Sequence, residues 1–213
     1  PNLDRLAKNG LKFTQFYNAA RCCPTRASLL TGTYPHEAGI GHMMGNYGIS
    51  QYQGKLSYNV ITIPEVLKKA GYSTIMSGKW HLTKNDLDQW PLKRGFDNFY
   101  GLISGAANYF KSEYPGLIFE GNEKLNIDDE NYYTTDAFTD KAIEYIDKAK
   151  RENSEKPFFL YLSYNAPHWP LQAPKENIDK YRGNYMKGWQ NLREERYKRM
   201  IEMGLIDSSW DLS

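Results

Sequence analysis

The sequence predicts an α/β fold in which a mainly parallel sheet is flanked by helices. Short apolar segments typical of strands alternate with segments typical of helices along the 213 residues. The apolar run at residues 158–162 lacks polar alternation, which is typical of a strand buried on both faces of a parallel sheet. No linker-like composition divides the chain, so we expect residues 1–213 to belong to one domain.

The first part of the chain combines predicted helices and strands with one long loop. Asn2 can cap a helix that Gly10 ends, and the alternating apolar residues at 11–17 predict a strand. The elements predicted next are a short helix at 25–30 stopped by Gly32, a functional loop at 33–58, a helix at 63–70 and a strand at 72–77.

The second part begins with a stretch, residues 86–107, that we expect to be irregular. Apolar residues recur with helical spacing at 136–150, which predicts an amphipathic helix. The strand at 158–162 follows, and residues 189–203 are predicted as a last helix. Helices that alternate with strands in this way favour a parallel sheet.

Composition argues against two classes of partner. The 27 Lys and Arg residues nearly balance the 25 Asp and Glu residues, so we expect no nucleic-acid surface. No apolar run reaches transmembrane length, and we expect no membrane partner. The two cysteines are adjacent, which predicts no disulfide framework. The opening residues resemble the middle of a longer chain, entered at a loop before a helix.

The first motif that carries chemistry begins at Cys22 and has the pattern C-x-P-x-R-x-x-L-L-T-G. Pro24 favours an extended conformation at Cys23 and places Cys22 just before a helix N-terminus, which attracts anions. Arg26 supplies a guanidinium suited to a tetrahedral oxyanion. A turn around one buried cysteine is the structural alternative.

The second motif, residues 71–81, presents Lys79 and His81 at the end of a predicted strand. Residues i and i+2 of an extended chain face the same side, so a cation and an imidazole would share one face. Sites of open α/β sheets lie at the carboxyl ends of strands. The alternative is a surface lysine beside a capping histidine.

Three further histidines occupy loops. His168 lies between Pro167 and Pro170, just after the apolar strand, and so has the same position relative to a strand as His81. The structural alternative is a histidine that packs on Trp169. His36 and His42 lie in the loop after the first motif. His36 is a candidate for substrate binding, with a structural role as the alternative. A zinc site built from both histidines with Cys22 and Cys23 is conceivable, but adjacent cysteines fit zinc spacing poorly.

These motifs resemble the signatures of type I sulfatases, the second of which is G-Y-x-[ST]-x-x-x-G-K-x-H. The resemblance implies that Cys22 is oxidised to formylglycine, although Arg21 stands where the family usually has a small or apolar residue. It also implies an alkaline-phosphatase-like fold, with residues 1–213 a fragment of the N-terminal catalytic domain that lacks both ends.

The implied reaction is hydrolysis of an aryl or carbohydrate sulfate ester. Formylglycine at position 22, as a hydrated aldehyde, would attack sulfur, and Arg26 would hold and polarise it. Lys79 would bridge this group and a sulfate oxygen, and His81 would accept a proton during release of sulfate. His168 would bind the sulfate and help protonate the leaving oxygen.

The resemblance further implies a calcium ion, with Cys22 as formylglycine among its ligands. The family's Asp-Asp and Asp-Asn ligand pairs fall outside this chain, and Asp128 and Asp129 are better explained as helix caps. We therefore expect the fragment alone to lack activity and a strong calcium site. A formylglycine-generating enzyme and a sulfated small molecule or glycan are the implied partners, and periplasmic or secreted is the implied location.

Three other classes of protein share part of this pattern. A phosphonate or phosphodiester hydrolase of the same superfamily also carries C-x-P-x-R, and a non-catalytic fragment that binds sulfated ligands would not need the metal carboxylates. A cysteine phosphatase needs five residues between its cysteine and arginine, whereas three separate Cys22 from Arg26. That spacing argues against it.

Overall fold

The chain forms two compact units. The computed structural model describes residues 2–84, 86–114 and 116–212. One unit, Asn18–Gln172, contains the sheet, and the other combines the segment before Asn18 with the segment after Gln172. Within the described ranges, none of the helices has the length and apolar character needed to cross a membrane.

In the described ranges, the sheet unit comprises a five-stranded sheet, three α-helices and two short 3₁₀ helices, Leu87–Gln89 and Pro91–Arg94. Its α-helices are α2 (Cys22–Thr31), α3 (Ile63–Lys69) and α4 (Thr134–Glu152), and its strands are β1 (Ser73–Lys79), β2 (Asn98–Leu102), β3 (Ile118–Glu120), β4 (Glu123–Lys124) and β5 (Phe158–Ser163). The strand order is β4-β3-β2-β1-β5. β1 pairs in parallel with β2 and β5, whereas β3 pairs antiparallel with β2 and β4. The predicted parallel sheet is therefore confirmed at its centre, with an antiparallel margin.

Strand β1 is buried along its whole length because it lies between two strands and two layers of side chains. Met76 belongs to the cluster that includes Ala27 of α2, while Ile75 belongs to the cluster that includes Phe138 of α4. Successive residues of a strand point to opposite faces, so β1 serves both halves of the core. Helices α2 and α4 thus pack on opposite faces of the sheet.

The three central strands approach closely where β1 ends. Gly78 is in register with Gly101 on one side and with Ser163 on the other. A Cβ on Gly101 would lie 1.9 Å from the Gly78 oxygen, and one on Gly78 would lie 2.1 Å from the Ser163 oxygen. Glycine is therefore required at both positions, and the narrow spacing brings the residues after β1 and β5 together.

The second unit consists of helices α1 (Asn2–Lys8), α5 (Lys175–Asp179) and α6 (Gly188–Glu202). The predicted helices at 2–9 and 189–203 are confirmed. The predicted strand at 11–17 is wrong, because none of these residues has strand structure and all are exposed. A strand needs a pairing partner as well as alternating side chains, and the described residues provide none here.

Three other predictions need correction. The stretch 86–107 contains β2, a central strand. β5 lies at the edge of the sheet and is half-buried, with Phe158 37% exposed, so it is not buried on both faces. The Asp129 carboxylate accepts a hydrogen bond from the Asn131 backbone (2.9 Å), while α4 begins after Tyr133 without a side-chain cap.

Candidate active site

Cys22 is the first residue of α2. The helix begins three residues earlier than predicted, so Cys22 and Cys23 are both helical, and the expected extended conformation of Cys23 is wrong. Pro24 is tolerated because backbone N–H groups in the first turn have no helical acceptor. Gly32 ends α2 with φ of 69°, as predicted.

The two adjacent cysteines have different surroundings. Cys23 is completely buried, whereas Cys22 is half-buried and lines a cavity of about 410 Å³ together with Arg26 and Tyr161. Burial raises the pKa of Cys23 to about 12, and the neighbouring Cys22 contributes to the increase. Cys23 is therefore a neutral thiol at pH 7, and Cys22 is the cysteine open to chemistry.

Arg26 connects α2 to the end of β1. Its Nη1 donates to the Lys79 carbonyl at 2.6 Å and to the Tyr161 hydroxyl at 3.1 Å. The Ser163 hydroxyl donates to the same Lys79 carbonyl at 2.8 Å. Two strands and one helix thus fix the guanidinium. Arg26 lines the same cavity as Cys22.

Lys79 and His81 both lie at the end of β1, but not through a simple extended alternation. Lys79 is the last residue of β1, and His81 has φ of 55°, a left-handed conformation unusual for a residue other than glycine. Both are buried. Burial lowers the pKa of Lys79 and Arg26 lowers it further, whereas Cys22 and Cys23 oppose the decrease. The Lys79 ammonium therefore lies within electrostatic reach of both cysteines.

His81 is held by Cys23. The Cys23 sulfur lies 3.3 Å from His81 Nε2, and the ligand atoms of Cys22, Cys23 and His81 all lie within 4.8 Å of one another. Burial lowers the pKa of His81 to about 3, and Lys79, Arg26 and His168 lower it further. Cys23 is a thiol and His81 is neutral, so the tautomer of the ring decides whether the S–H donates to Nε2 or Nε2–H donates to the sulfur, which also lies 3.9 Å from Met43 Sδ. Within the described part of the chain, Nδ1 has no hydrogen-bond partner.

His168 lies at the same end of the sheet. It is exposed in the loop after β5, and its Nδ1 lies 2.7 Å from the Trp169 carbonyl. Because a carbonyl oxygen only accepts, Nδ1 carries a proton, and Nε2 takes no part in this hydrogen bond. Tyr109 holds the loop by donating to the His168 carbonyl at 2.7 Å. Because His168 influences the pKa of His81, both imidazoles belong to one electrostatic environment.

His36 and His42 make contacts within their own loop. His36 Nε2 lies 3.2 Å from the Tyr52 hydroxyl, and His42 packs edge-on against Tyr47. Among the described residues, the two cysteines group with His81 and not with either of these histidines. The alternative zinc site is therefore wrong in its ligand set.

Three residues that hold the site together carry no recognisable signal in the sequence. Cys23 occupies a position of the motif that appeared variable, and Tyr161 lies in an apolar strand where a tyrosine is explained by packing. Ser163 ends the same strand. Only the register of β5 against β1 shows that the Ser163 hydroxyl reaches the Lys79 carbonyl and that the Tyr161 hydroxyl reaches Arg26, and register cannot be obtained from one sequence.

The geometry and the comparisons with known proteins agree. A family model described as Sulfatase matches residues 1–208, and the chain belongs to the sulfatase family. It is 39% identical to an uncharacterized sulfatase of Schizosaccharomyces pombe, covering 97% of this chain and 40% of that protein. It is 32% identical to an arylsulfatase of Klebsiella aerogenes, covering 97% of this chain and 46% of that protein.

A solved structure supports the same assignment. The crystal structure of Ps i-CgsB in complex with k-i-k-neocarrahexaose superimposes with a TM-score of 0.71 at 32% identity, covering 85% of this chain and 43% of that one. The predicted fold class, alkaline-phosphatase-like, is confirmed. The chain spans less than half the length of each of these relatives.

Proposed function

We propose that the protein containing this chain hydrolyses sulfate esters. The observation that carries the proposal is the convergence of Cys22, Arg26, Lys79 and His81 at the carboxyl end of β1. Two cations, a neutral imidazole and an accessible cysteine suit an anionic tetrahedral substrate. Membership of the sulfatase family supports the same reaction.

Formylglycine fits position 22 and not position 23. Cys22 is half-buried and lines a cavity, whereas Cys23 is completely buried and contacts His81. At position 22 the modified side chain would supply a hydrated aldehyde oxygen for attack on sulfur. A formylglycine-generating enzyme is therefore the partner that we propose for maturation.

The other residues would bind the ester and move protons. Arg26 and Lys79 would hold the sulfate by charge and hydrogen bonds, with Arg26 fixed by the Lys79 carbonyl and Tyr161. His81 is neutral and can accept a proton as sulfate is released, once its Nε2 gives up the contact with the Cys23 sulfur. His168 as an imidazolium, protonated on both nitrogens, would donate its Nε2 proton to the leaving oxygen, which departs as the alcohol, and would keep the Nδ1 proton on the Trp169 carbonyl. Substrate binding by His36, in the loop after α2, remains a prediction.

Calcium does not fit the ligands that the described residues bring together. Calcium takes six to eight oxygen ligands. In the ranges that the structure describes, the one group of three or more potential ligands is Cys22, Cys23 and His81, which contains no carboxylate. Calcium binding by the full-length protein is therefore a proposal that requires other oxygen ligands, and we expect the 213 residues alone to bind calcium weakly and to lack activity.

The substrate class and the location are also proposals. The names of the relatives support aryl sulfates, through the arylsulfatase, and the oligosaccharide complex supports carbohydrate substrates. We propose a sulfated small molecule or glycan as substrate, and a periplasmic or secreted location.

The test uses full-length protein produced with a formylglycine-generating enzyme. We expect turnover of an aryl sulfate or a sulfated sugar, and an aldehyde at position 22 by mass spectrometry. Cys22→Ala should abolish turnover, while the neighbouring Cys23→Ala, the matched control, should retain the aldehyde and part of the activity. Activity that survives Cys22→Ala, or hydrolysis of phosphodiesters with no hydrolysis of sulfate esters, would contradict the proposal.

A further inference from the structure

Three soft ligand atoms meet where α2 begins and β1 ends. The sulfurs of Cys22 and Cys23 and a ring nitrogen of His81 all lie within 4.8 Å of one another. Two ligand atoms that bind one metal ion at about 2.0–2.3 Å are roughly 3.5 Å apart when the arrangement is tetrahedral. Because the Cys23 sulfur lies 3.3 Å from His81 Nε2, these two atoms can share an ion with little movement.

The kinds of atom in this group favour a soft cation. Thiolate sulfur and imidazole nitrogen suit Cu(I) and Zn²⁺, whereas Ca²⁺ takes oxygen ligands. The Met43 thioether lies 3.9 Å from the Cys23 sulfur and adds a further soft atom beside the group. Thioethers are good ligands of Cu(I) and do not belong to the usual ligands of zinc. The set of side chains therefore favours Cu(I).

The charges around the sulfurs favour a monovalent ion. Arg26 donates to the Lys79 carbonyl at 2.6 Å, and the Lys79 ammonium lies within electrostatic reach of both cysteines. Two thiolates with Cu(I) carry one net negative charge, which these two cations stabilise. The same thiolates with Zn²⁺ carry no net charge and gain nothing from the cations. Charge and ligand type therefore agree on Cu(I).

The position offers an ion both a route of entry and enclosure. Cys22 is half-buried and lines the cavity of about 410 Å³, through which an ion can reach its sulfur. Cys23 and His81 are buried, so an ion held by all three side chains is largely enclosed by protein. The ion needs Cys22 as a thiol, which is its state before any conversion to formylglycine.

We propose that the chain with unmodified Cys22 binds one Cu(I) ion through the sulfurs of Cys22 and Cys23 and Nε2 of His81, with Met43 as a weaker fourth ligand. Binding releases one proton from each thiol and leaves the imidazole proton on Nδ1. No electron is transferred, because the ion enters as Cu(I). The site does not depend on sulfatase activity, and bound Cu(I) occupies the sulfur that formylglycine formation must oxidise.

An anaerobic competition titration tests the proposal on full-length protein whose thiol at position 22 is verified by mass spectrometry. Bicinchoninate, a coloured chelator of Cu(I), supplies the ion, and we expect one Cu(I) per chain to move to the protein. Cys22→Ser and Cys23→Ser should each lower the Cu(I) affinity by about 100-fold or more, since even an outer partner of a ligand contributes 10–100-fold. Binding that both serine variants retain would overturn the proposal.

A pair of histidine variants provides the matched comparison. His81→Asn removes the nitrogen ligand and should lower the Cu(I) affinity about tenfold or more. His42→Asn, at an exposed histidine outside the group, should leave the affinity unchanged. Cys22→Ser guards against misfolding, because Cys22 is only half-buried. Equal affinities of the two histidine variants would overturn the assignment of His81 as a ligand.

Two further measurements test the choice of ion and the state of Cys22. An excess of Zn²⁺ of about a hundredfold should leave Cu(I) on the protein, and displacement would overturn the choice of Cu(I). Protein that carries formylglycine at position 22 should bind Cu(I) about 100-fold more weakly, as Cys22→Ser does, and equal binding by the two forms would overturn the role of Cys22. A thiol form that binds no Cu(I), beside a formylglycine form that hydrolyses sulfate esters, would overturn the metal site alone and leave the proposed function in place.

Discussion

His81 should make the stability of the protein depend strongly on pH, and His81→Asn should remove that dependence. Burial, with help from Lys79 and Arg26, lowers the pKa of His81 from 6.5 to about 3. The folded protein therefore keeps this ring neutral at pH 5, whereas the unfolded chain protonates it. Asparagine is a suitable replacement because it tolerates the left-handed conformation found at His81.

The sign and magnitude follow from proton linkage. Above pH 6.5 the ring is neutral in both states and contributes nothing to the pH dependence. Below that value the unfolded state binds the extra proton, so the free energy of unfolding falls as the pH drops from 6.5 towards 3. Between pH 7 and pH 5 the loss is about 2 kcal/mol, since each pKa unit corresponds to about 1.4 kcal/mol.

Urea unfolding at pH 7 and pH 5 measures this loss. The quantity compared is the change in unfolding free energy between the two pH values, so that any effect of the substitution common to both cancels. His81→Asn should reduce the change by about 2 kcal/mol relative to the unsubstituted chain. His36→Asn, at an exposed histidine, is the matched control and should retain the original change. If His81→Asn and His36→Asn behave alike, the interpretation of His81 as a buried neutral ring is wrong.

Three other features give testable outcomes. Gly101→Ala should lower the free energy of unfolding by about 3 kcal/mol or more, because its Cβ would lie 1.9 Å from the Gly78 oxygen, and an unchanged urea midpoint would contradict this. Arg94→Met should cost about 3–5 kcal/mol by leaving the partly buried Glu65 carboxylate without its ion pair, and adding Glu65→Gln should recover part of that loss in the same assay. Inorganic sulfate at one hundred times its Kd should stabilise the chain by about 2.7 kcal/mol in thermal melts, and Lys79→Met should abolish the shift; equal shifts in both proteins would place the anion elsewhere.

Helices and the central strand were predictable because their signals are local. Thr62 and Glu65 form a reciprocal capping box at the start of α3, with Pro64 in the first turn, and the pattern is visible in the sequence. β1 is apolar over several residues and ends at a glycine-lysine pair, which the structure confirms. The motifs of the candidate site were recognisable for the same reason, since each lies within a few consecutive residues.

The elements that escaped prediction depend on pairing between distant segments. β2 is five residues long and contains Gly101, so its strand character comes from pairing with β1 and β3 and not from propensity. The segment at 11–17 shows the opposite case, in which alternation exists without a partner strand. The second compact unit joins the beginning and the end of the chain, so no single linker in the sequence marks its boundary.

Among the described residues, the site combines buried positive charge with an absence of acidic partners, a combination that favours an anionic ligand. Arg26 and Lys79 form no ion pair with any carboxylate in the described ranges, although Lys79 is almost completely buried. The charged form of Lys79 is disfavoured by both burial and Arg26, which is a cost to the folded protein. An anion bound between the two cations would reverse that cost. Neutral His81 and the Cys23 thiol add no negative charge that could offset it, so the site favours an anionic ligand, and the proposed sulfate ester is one.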